Sequence, residues 1–194
     1  MKLILASASP RRREILTTLG VDFTVRTADA DETCDVGDPG ARVEEISVRK
    51  CHAVRDLLAS EGNLDADTVI LASDTLVTLD GLFLGKPRDE EDARRMMGLL
   101  SGRTHTVASG LAIWKDGRTV TAHELTGVTF APMSEDEIEA YIRTGESFGK
   151  AGAYAIQGYA ARFITGIDGD YFNVVGLPVH RLYATMRDEL DITL

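Results

Sequence analysis

Two serines and three arginines crowd the mouth of one helix near the start of the chain, Ser7-Ala8-Ser9-Pro10-Arg11-Arg12-Arg13. Ser9 suits an N-cap and Pro10 the first helical position. A helix N-terminus presents unpaired N–H groups and a partial positive charge. Arginine adds a planar fork that matches a phosphate edge. The stretch therefore reads as a phosphate-binding site. The competing reading is a capped helix with a solvated basic first turn, which must accept cations that oppose the helix dipole. Three further residue sets carry chemistry. Asp74 and Thr75 end an apolar run, Thr68 to Ser73, and ligands in open α/β sheets gather at the carboxyl ends of strands. Lys50 falls between Ile46 and Val54 on an apolar helical stripe. It either snorkels past the core edge or points inward at an anion. Phe148 to Gly158 is glycine-rich, so its backbone can approach a ligand closely, with Lys150 and Gln157 as its polar reach.

The elements that must position these groups follow from periodicity. Leu3-Ile4-Leu5 is a short buried strand, and Glu14 to Leu19 continues the first helix until Gly20 stops it. Val21, Phe23 and Val25 alternate with polar residues, which predicts a strand. An acidic loop follows, with Asp29, Asp31, Glu32 and Asp35; it is either solvated or a source of metal ligands. Pro39 to Ser60 is an amphipathic helix. Thr68 to Ser73 reads as a strand buried on both faces. Asp80-Gly81 is a two-residue hairpin turn, whose register sets Leu79 opposite Leu82, Val77 opposite Leu84 and Thr75 opposite Lys86. Opposed residues lie roughly 5 Å apart, so this register puts Lys86 beside Asp74 and Thr75. Asp89 to Leu100 is a helix, and His105–Trp114 and Thr119–Phe130 are strands around an Asp116-Gly117 turn. Ser134 and Glu137 form a capping box for a helix to Arg143. Residues 161–167 and 171–175 are expected to form a hairpin around Asp168-Gly169. A last helix opens at Gly176-Leu177-Pro178 and buries Val179, Leu182, Tyr183 and Met186.

Composition narrows the function classes. At 194 residues with 44% hydrophobic content, the chain makes one domain with a real core, or one domain with two lobes. No apolar run reaches membrane-spanning length, and the N-terminal apolar run is too short for a signal peptide. Cys34 and Cys51 have no metal or redox spacing and read as reduced cytosolic thiols. The formal net charge of −10 argues against a nucleic-acid polymer as partner. It does not exclude a phosphorylated small molecule, because exposed charges beyond roughly 8 Å are screened. A paired cation about 4 Å away is worth roughly 4 kcal/mol gross at an effective dielectric near 20. Gly81 to Lys86 is no P-loop: the glycine spacing is short and Pro87 stands where a magnesium-binding Ser or Thr belongs. Gly149-Lys150-Ala151-Gly152 resembles a KH loop, but the acidic charge and the missing paired helices oppose that. His52, His105, His123 and His180 lack zinc spacing, and no nucleophile elbow is present.

Taken together these residues resemble the Maf family of nucleoside triphosphate pyrophosphatases. The matching pieces are Ser7 to Arg12, Asp31-Glu32, Lys50, Ser73-Asp74-Thr75, Gly85-Lys86-Pro87, Ser101 to His105, Lys150 to Gly158, and Gly169-Asp170-Tyr171 through Pro178. They run in order across nearly the whole chain. The resemblance implies hydrolysis of a nucleoside triphosphate to monophosphate and pyrophosphate with a divalent cation, Mg2+ or Mn2+. It also implies cytoplasmic housecleaning of nucleotide pools and a homodimer. The implied fold is α/β: one domain over residues 1–194, an elongated mixed twisted sheet flanked by helices, with two lobes around a central cleft. The segment Lys150 to Gly158 is similar to the dTTP/UTP subclass. By that similarity Asp74 is the proton acceptor, and Arg11, Thr75 and Gln157 bear on base choice. Family members are also associated with septum inhibition, so a nucleotide-binding regulator of cell division is the alternative.

The chain departs from the family pattern at Gly149, where Asp is usual, at Ser73, where Ala is usual, and at Ser109, where Thr is common. Gly149 removes a carboxylate beside Lys150. On the implied chemistry, water attacks the α-phosphorus and pyrophosphate leaves. Such a site needs charge neutralisation and in-line positioning. Arg11, Arg12, Lys50 and Lys86 would hold the phosphates, with Ser7 and the helix N–H groups alongside. Lys50 and Lys86 count as catalytic with Asp74, and Lys150 as substrate-binding. Magnesium takes only one or two carboxylates, and Glu32 and Asp74 suit that count. Asp74 is then either the base or a metal ligand. Gln157 pairs a donor with an acceptor and can match N3–H and a carbonyl of uracil or thymine, although a flipped amide matches cytosine.

Overall fold

The computed structural model describes residues 1–194. Seven strands form one mixed sheet in the order β2 (Phe23–Val25), β1 (Lys2–Leu5), β3 (Thr68–Leu79), β5 (Thr104–Lys115), β6 (Arg118–Phe130) and β7 (Ile164–Asp168), with β4 (Leu82–Leu84) paired to β3 off that path. Helices flank it, as the α/β expectation required. The chain divides into two compact units: residues 1–74, 109–124 and 176–194 in the first, and 75–108 with 125–175 in the second.

In the first unit, β1 (Lys2–Leu5) pairs in parallel with β2 (Phe23–Val25) on one side and with the start of β3 (Thr68–Leu79) on the other. Parallel neighbours need crossovers. The helices α1 (Pro10–Thr18) and α2 (Pro39–Ser60) supply them. The apolar stripe of α2 packs Cys51, Val54 and Leu58 against Ile4, Ala6, Ile70, Ala72, Ala112 and Trp114. Gly110 lets α2 come this close to β5 (Thr104–Lys115): a Cβ there would stand 2.5 Å from the Val43 carbonyl. The last helix, α6 (Val179–Leu190), buries Leu182, Thr185 and Met186. Tyr183, expected on its buried face, is 38% exposed.

In the second unit the end of β3 turns through Asp80-Gly81 into β4 (Leu82–Leu84). Both turn residues have positive φ, 50° and 81°, as the type I′ hairpin turn demands. The helix α3 (Glu90–Leu100) buries Ala93, Met96, Met97 and Leu100, and its N-cap Asp89 accepts from the Asp92 N–H at 2.8 Å. β6 (Arg118–Phe130) begins in the first unit and ends in the second, where α4 (Glu135–Ile142) follows with its capping box formed. The core here includes a ring cluster, in which Tyr154 meets His105 and Phe130 edge-on at centroid distances of 5.3 and 5.0 Å.

The expected hairpin over 161–175 does not form. β7 (Ile164–Asp168) pairs antiparallel with β6 instead, and residues 171–175 are a helix, α5 (Tyr171–Val175). The cause is local. The Asp170 carboxylate accepts from the Phe172 N–H at 2.7 Å and opens a helical turn. Buried Asn173 then donates to the Val107 carbonyl at 3.0 Å and to Thr126 Oγ1 at 2.8 Å. Capping and burial outweigh the strand propensity of Tyr-Phe and Val-Val.

Candidate active site

β1 ends at Leu5, and Ala6 N–H still reaches the Leu71 carbonyl at 2.7 Å. The chain then turns. Ser9 takes the N-cap and accepts from the Arg12 N–H, with Pro10 as the first helical residue. Ser7 is buried, and its hydroxyl oxygen accepts from the Ser9 N–H at 3.3 Å and from an Arg12 guanidinium N–H at 2.9 Å. Arg12 is buried as well, and its Nε–H donates to the Gly176 carbonyl at 2.7 Å. Ser73 Oγ donates to the same carbonyl at 3.3 Å. Thus one backbone oxygen ties the start of α6 to the strand-to-helix turn and to the residue before Asp74.

Burial pulls the Arg12 pKa down to about 10, Asp74 and Glu32 hold it up, and neighbouring Arg11 pushes it down. Arg12 is therefore still a cation at neutral pH. Arg11 is half-buried, and burial lowers its pKa with no carboxylate holding it up. Two neighbouring cations at a helix N-terminus would be favoured by an anion bound there.

Lys50 leaves the apolar stripe of α2 and turns inward, the second of the two readings its position allowed. Its Nζ lies 2.6 Å from Asp74 Oδ1 and 3.1 Å from Glu32 Oε1. The Lys50 and Asp74 side chains are only 18% and 14% exposed, whereas Glu32 is 56% exposed. One ammonium thus bridges two carboxylates, one well screened from water and one at the rim. This bridge is the observation against which a divalent cation is tested. Two carboxylates already converge on one positive charge, and no His or Cys joins them in a metal-binding group. An all-oxygen pair suits magnesium, which keeps most of its waters, and does not suit zinc. Glu32 and Asp74 fit the group.

The second unit carries the remaining expected residues. Thr75 is half-buried and opens the unit. The hairpin register holds for Leu79↔Leu82, Thr78↔Phe83 and Val77↔Leu84 and then ends. Thr75 opposite Lys86 is not a rung of this ladder. Pro87 has no N–H to donate, and the Gly85 carbonyl is taken by the Gly152 N–H at 3.1 Å. Lys86 is exposed just past β4. Residues 150–158, expected as a glycine-rich loop, contain a short 3-10 turn, Ala151–Ala153, and lead into a 3-10 helix, Tyr159–Phe163. Gly152 sits at φ +68° with Val77 side-chain atoms 3.0 Å from where its Cβ would be. Lys150 Nζ donates to the carbonyls of Glu146 at 2.5 Å and Phe148 at 3.3 Å, and Gln157 is exposed.

The first unit therefore brings together Ser7, Arg12, Lys50, Asp74 and Glu32, with Arg11 on the same helix turn. The second brings the Lys150 segment onto the end of the β3–β4 hairpin. Three groups have contacts that sequence reasoning misses: Gly176, legible as a helix opener and part of the family pattern, Ser73, legible as a strand end and as a departure from that pattern, and Glu146, which carries no signal. No periodicity marks a carbonyl or a lone acid that works across the fold.

A family model described as Maf-like protein matches residues 2–189. The chain is 46% identical over 181 residues to the dTTP/UTP pyrophosphatase of Symbiobacterium thermophilum, covering 93% of this chain and 90% of that one. It is 48% identical over 181 residues to the dTTP/UTP pyrophosphatase of Moorella thermoacetica, covering 92% and 90%. With the Bacillus cereus protein of the same name it shares 42% identity over 194 residues, 99% of this chain and 98% of the relative.

Proposed function

The chain belongs to the Maf-like protein family, and on that footing we propose that it hydrolyses dTTP and UTP to the nucleoside monophosphate and pyrophosphate. The observation that carries this reading is the Asp74–Lys50–Glu32 cluster on the same unit as the Ser7–Arg12 helix mouth. Water supplies the oxygen that bonds to the α-phosphorus, and its proton goes to the Asp74 carboxylate. The bond from the α-phosphorus to the bridging oxygen breaks, and pyrophosphate departs with the electron pair. Lys50, 2.6 Å from Asp74, holds that carboxylate in place before attack. Arg11 on the first turn of α1 receives phosphate oxygens, and buried Arg12 adds a fixed positive charge at the same helix mouth. A divalent cation, Mg2+ or Mn2+, held by Glu32 and Asp74 would add positive charge where the phosphates bind. In the second unit the family resemblance assigns Lys86 and Lys150 to the substrate, and Thr75 and Gln157 to the choice of a pyrimidine base.

No helix is long and apolar enough to cross a membrane. Cys34 and Cys51 are both free and buried, which suits work in the cytoplasm as part of this proposal. A homodimer belongs to the same proposal, and its check is the mass in dilute solution. The chemistry is tested by hydrolysing UTP in 18O-labelled water. The label is expected in the monophosphate and absent from pyrophosphate. Label in pyrophosphate, or release of orthophosphate, would refute attack at the α-phosphorus.

A further inference from the structure

In the second unit Glu146 does two things at once. Its carboxylate accepts from the Tyr159 N–H at 2.7 Å and the Ala160 N–H at 3.3 Å, the first amides of the 3-10 helix Tyr159–Phe163. The residue before that helix, Gly158, offers no side-chain cap. The carboxylate reaches the amides only because position 158 is glycine, since a Cβ there would lie 1.9 Å from Glu146 Oε2. Meanwhile the Glu146 backbone carbonyl accepts from Lys150 Nζ at 2.5 Å. The segment from Lys150 to Gln157 is thus held at both ends by one residue. Its middle is held by the Gly152 N–H on the Gly85 carbonyl. Gln157, directly before Gly158, stays exposed while its backbone is fixed on the C-terminal side.

We propose that Glu146 is a positioning residue for base recognition: its carboxylate, standing in for the missing cap of the Tyr159 helix, sets where Gln157 presents its amide. This rests on the pyrimidine reading above. An amide distinguishes N3–H from N3 only if it is held in one orientation and place. A mobile segment would let Gln157 adapt to cytosine, and selection between UTP and CTP would narrow. Ordering the segment before the nucleotide arrives also lowers the entropy cost of binding.

The test compares wild type with Glu146→Ala and Glu146→Gln on UTP and CTP. Glu146→Ala is expected to raise KM for UTP about tenfold, hold kcat within about threefold, and narrow the UTP-over-CTP ratio of kcat/KM by a similar factor. Glu146→Gln keeps one side-chain acceptor and is expected to recover most of both. An Ala variant with the wild-type ratio, or one that loses rate equally on both nucleotides at unchanged KM, overturns the inference. Amide hydrogen exchange on the nucleotide-free wild type decides the matter even if a variant fails to fold. The Tyr159 and Ala160 amides are expected to exchange slowly, and exchange at the rate of an open loop overturns the proposal. These amides report the clamp and not the substrate. A wild type that leaves UTP untouched would therefore sink the functional reading separately.

Discussion

At the scale of single residues, Asp74 has the sharpest role. Replacing it with Asn keeps shape and hydrogen bonding but removes the proposed proton acceptor and its charge. Asp74→Asn is expected to cut turnover more than 100-fold while nucleotide binding stays measurable by calorimetry. Turnover within about tenfold of wild type would refute the assignment. His105 tests burial. It is 2% exposed, its Nε2 lies 2.8 Å from the Tyr154 hydroxyl, and burial lowers its pKa to about 4. In the unfolded chain it titrates near 6.5. Between those values the unfolded state binds the extra proton, so stability is lost as pH falls from about 6.5 toward 4, by roughly 3 kcal/mol in full. His105→Gln should lose about 2–3 kcal/mol less than wild type between pH 6.5 and 4.5, read from urea melts. Parallel losses would show that His105 does not titrate this way. Ser7, Lys50 and Asp74 stand out in the sequence as candidates because helix mouths, apolar stripes and strand ends are local patterns. It could not choose between a snorkelling and an inward Lys50, because that depends on Asp74 and Glu32 meeting it in space.

At the scale of elements, α2 carries Lys50 and must lie close against β5. Gly110 permits this, since an added Cβ would meet the Val43 carbonyl group and the Glu44 nitrogen at 2.5–2.7 Å. These are backbone atoms and cannot swing aside. Gly110→Ala is expected to cost about 2 kcal/mol, lowering the melting temperature by roughly 4–8 °C for a chain of this size. An unchanged melting temperature would mean that the helix yields freely. Helices and turns were legible where the signal is local: the capping box at Ser134, the Asp80-Gly81 turn, and the stripe of α2. The errors arose where a side chain acts through the backbone of another segment. Asp170 and Asn173 turned an expected strand into α5, and the Gly85 carbonyl ended a ladder that alternation alone would have carried to Lys86.

At the scale of the whole molecule, the chain passes between its two units at 74/75, 108/109, 124/125 and 175/176. Three of those passages lie inside or at the midst of the continuous strands β3, β5 and β6, so no glycine- or proline-rich linker announces them. That is why composition allowed two lobes without dividing them. The net charge of −10 is likewise silent about the proposed site, because Arg11, Arg12 and Lys50 would act on a substrate at contact distance. No group of three or more His, Cys, Asp or Glu side chains could hold a metal as a structural centre. Chelation with EDTA is therefore expected to stop turnover yet leave the melting temperature of the nucleotide-free protein within about 1 °C. A fall of many degrees would instead reveal a metal that holds the fold. The most direct test of the whole account is a steady-state survey of the common ribo- and deoxyribonucleoside triphosphates with magnesium, counting pyrophosphate per monophosphate formed. The account predicts one pyrophosphate per monophosphate and the highest kcat/KM for dTTP and UTP; highest values for purines, or no pyrophosphate from any nucleotide, would contradict it.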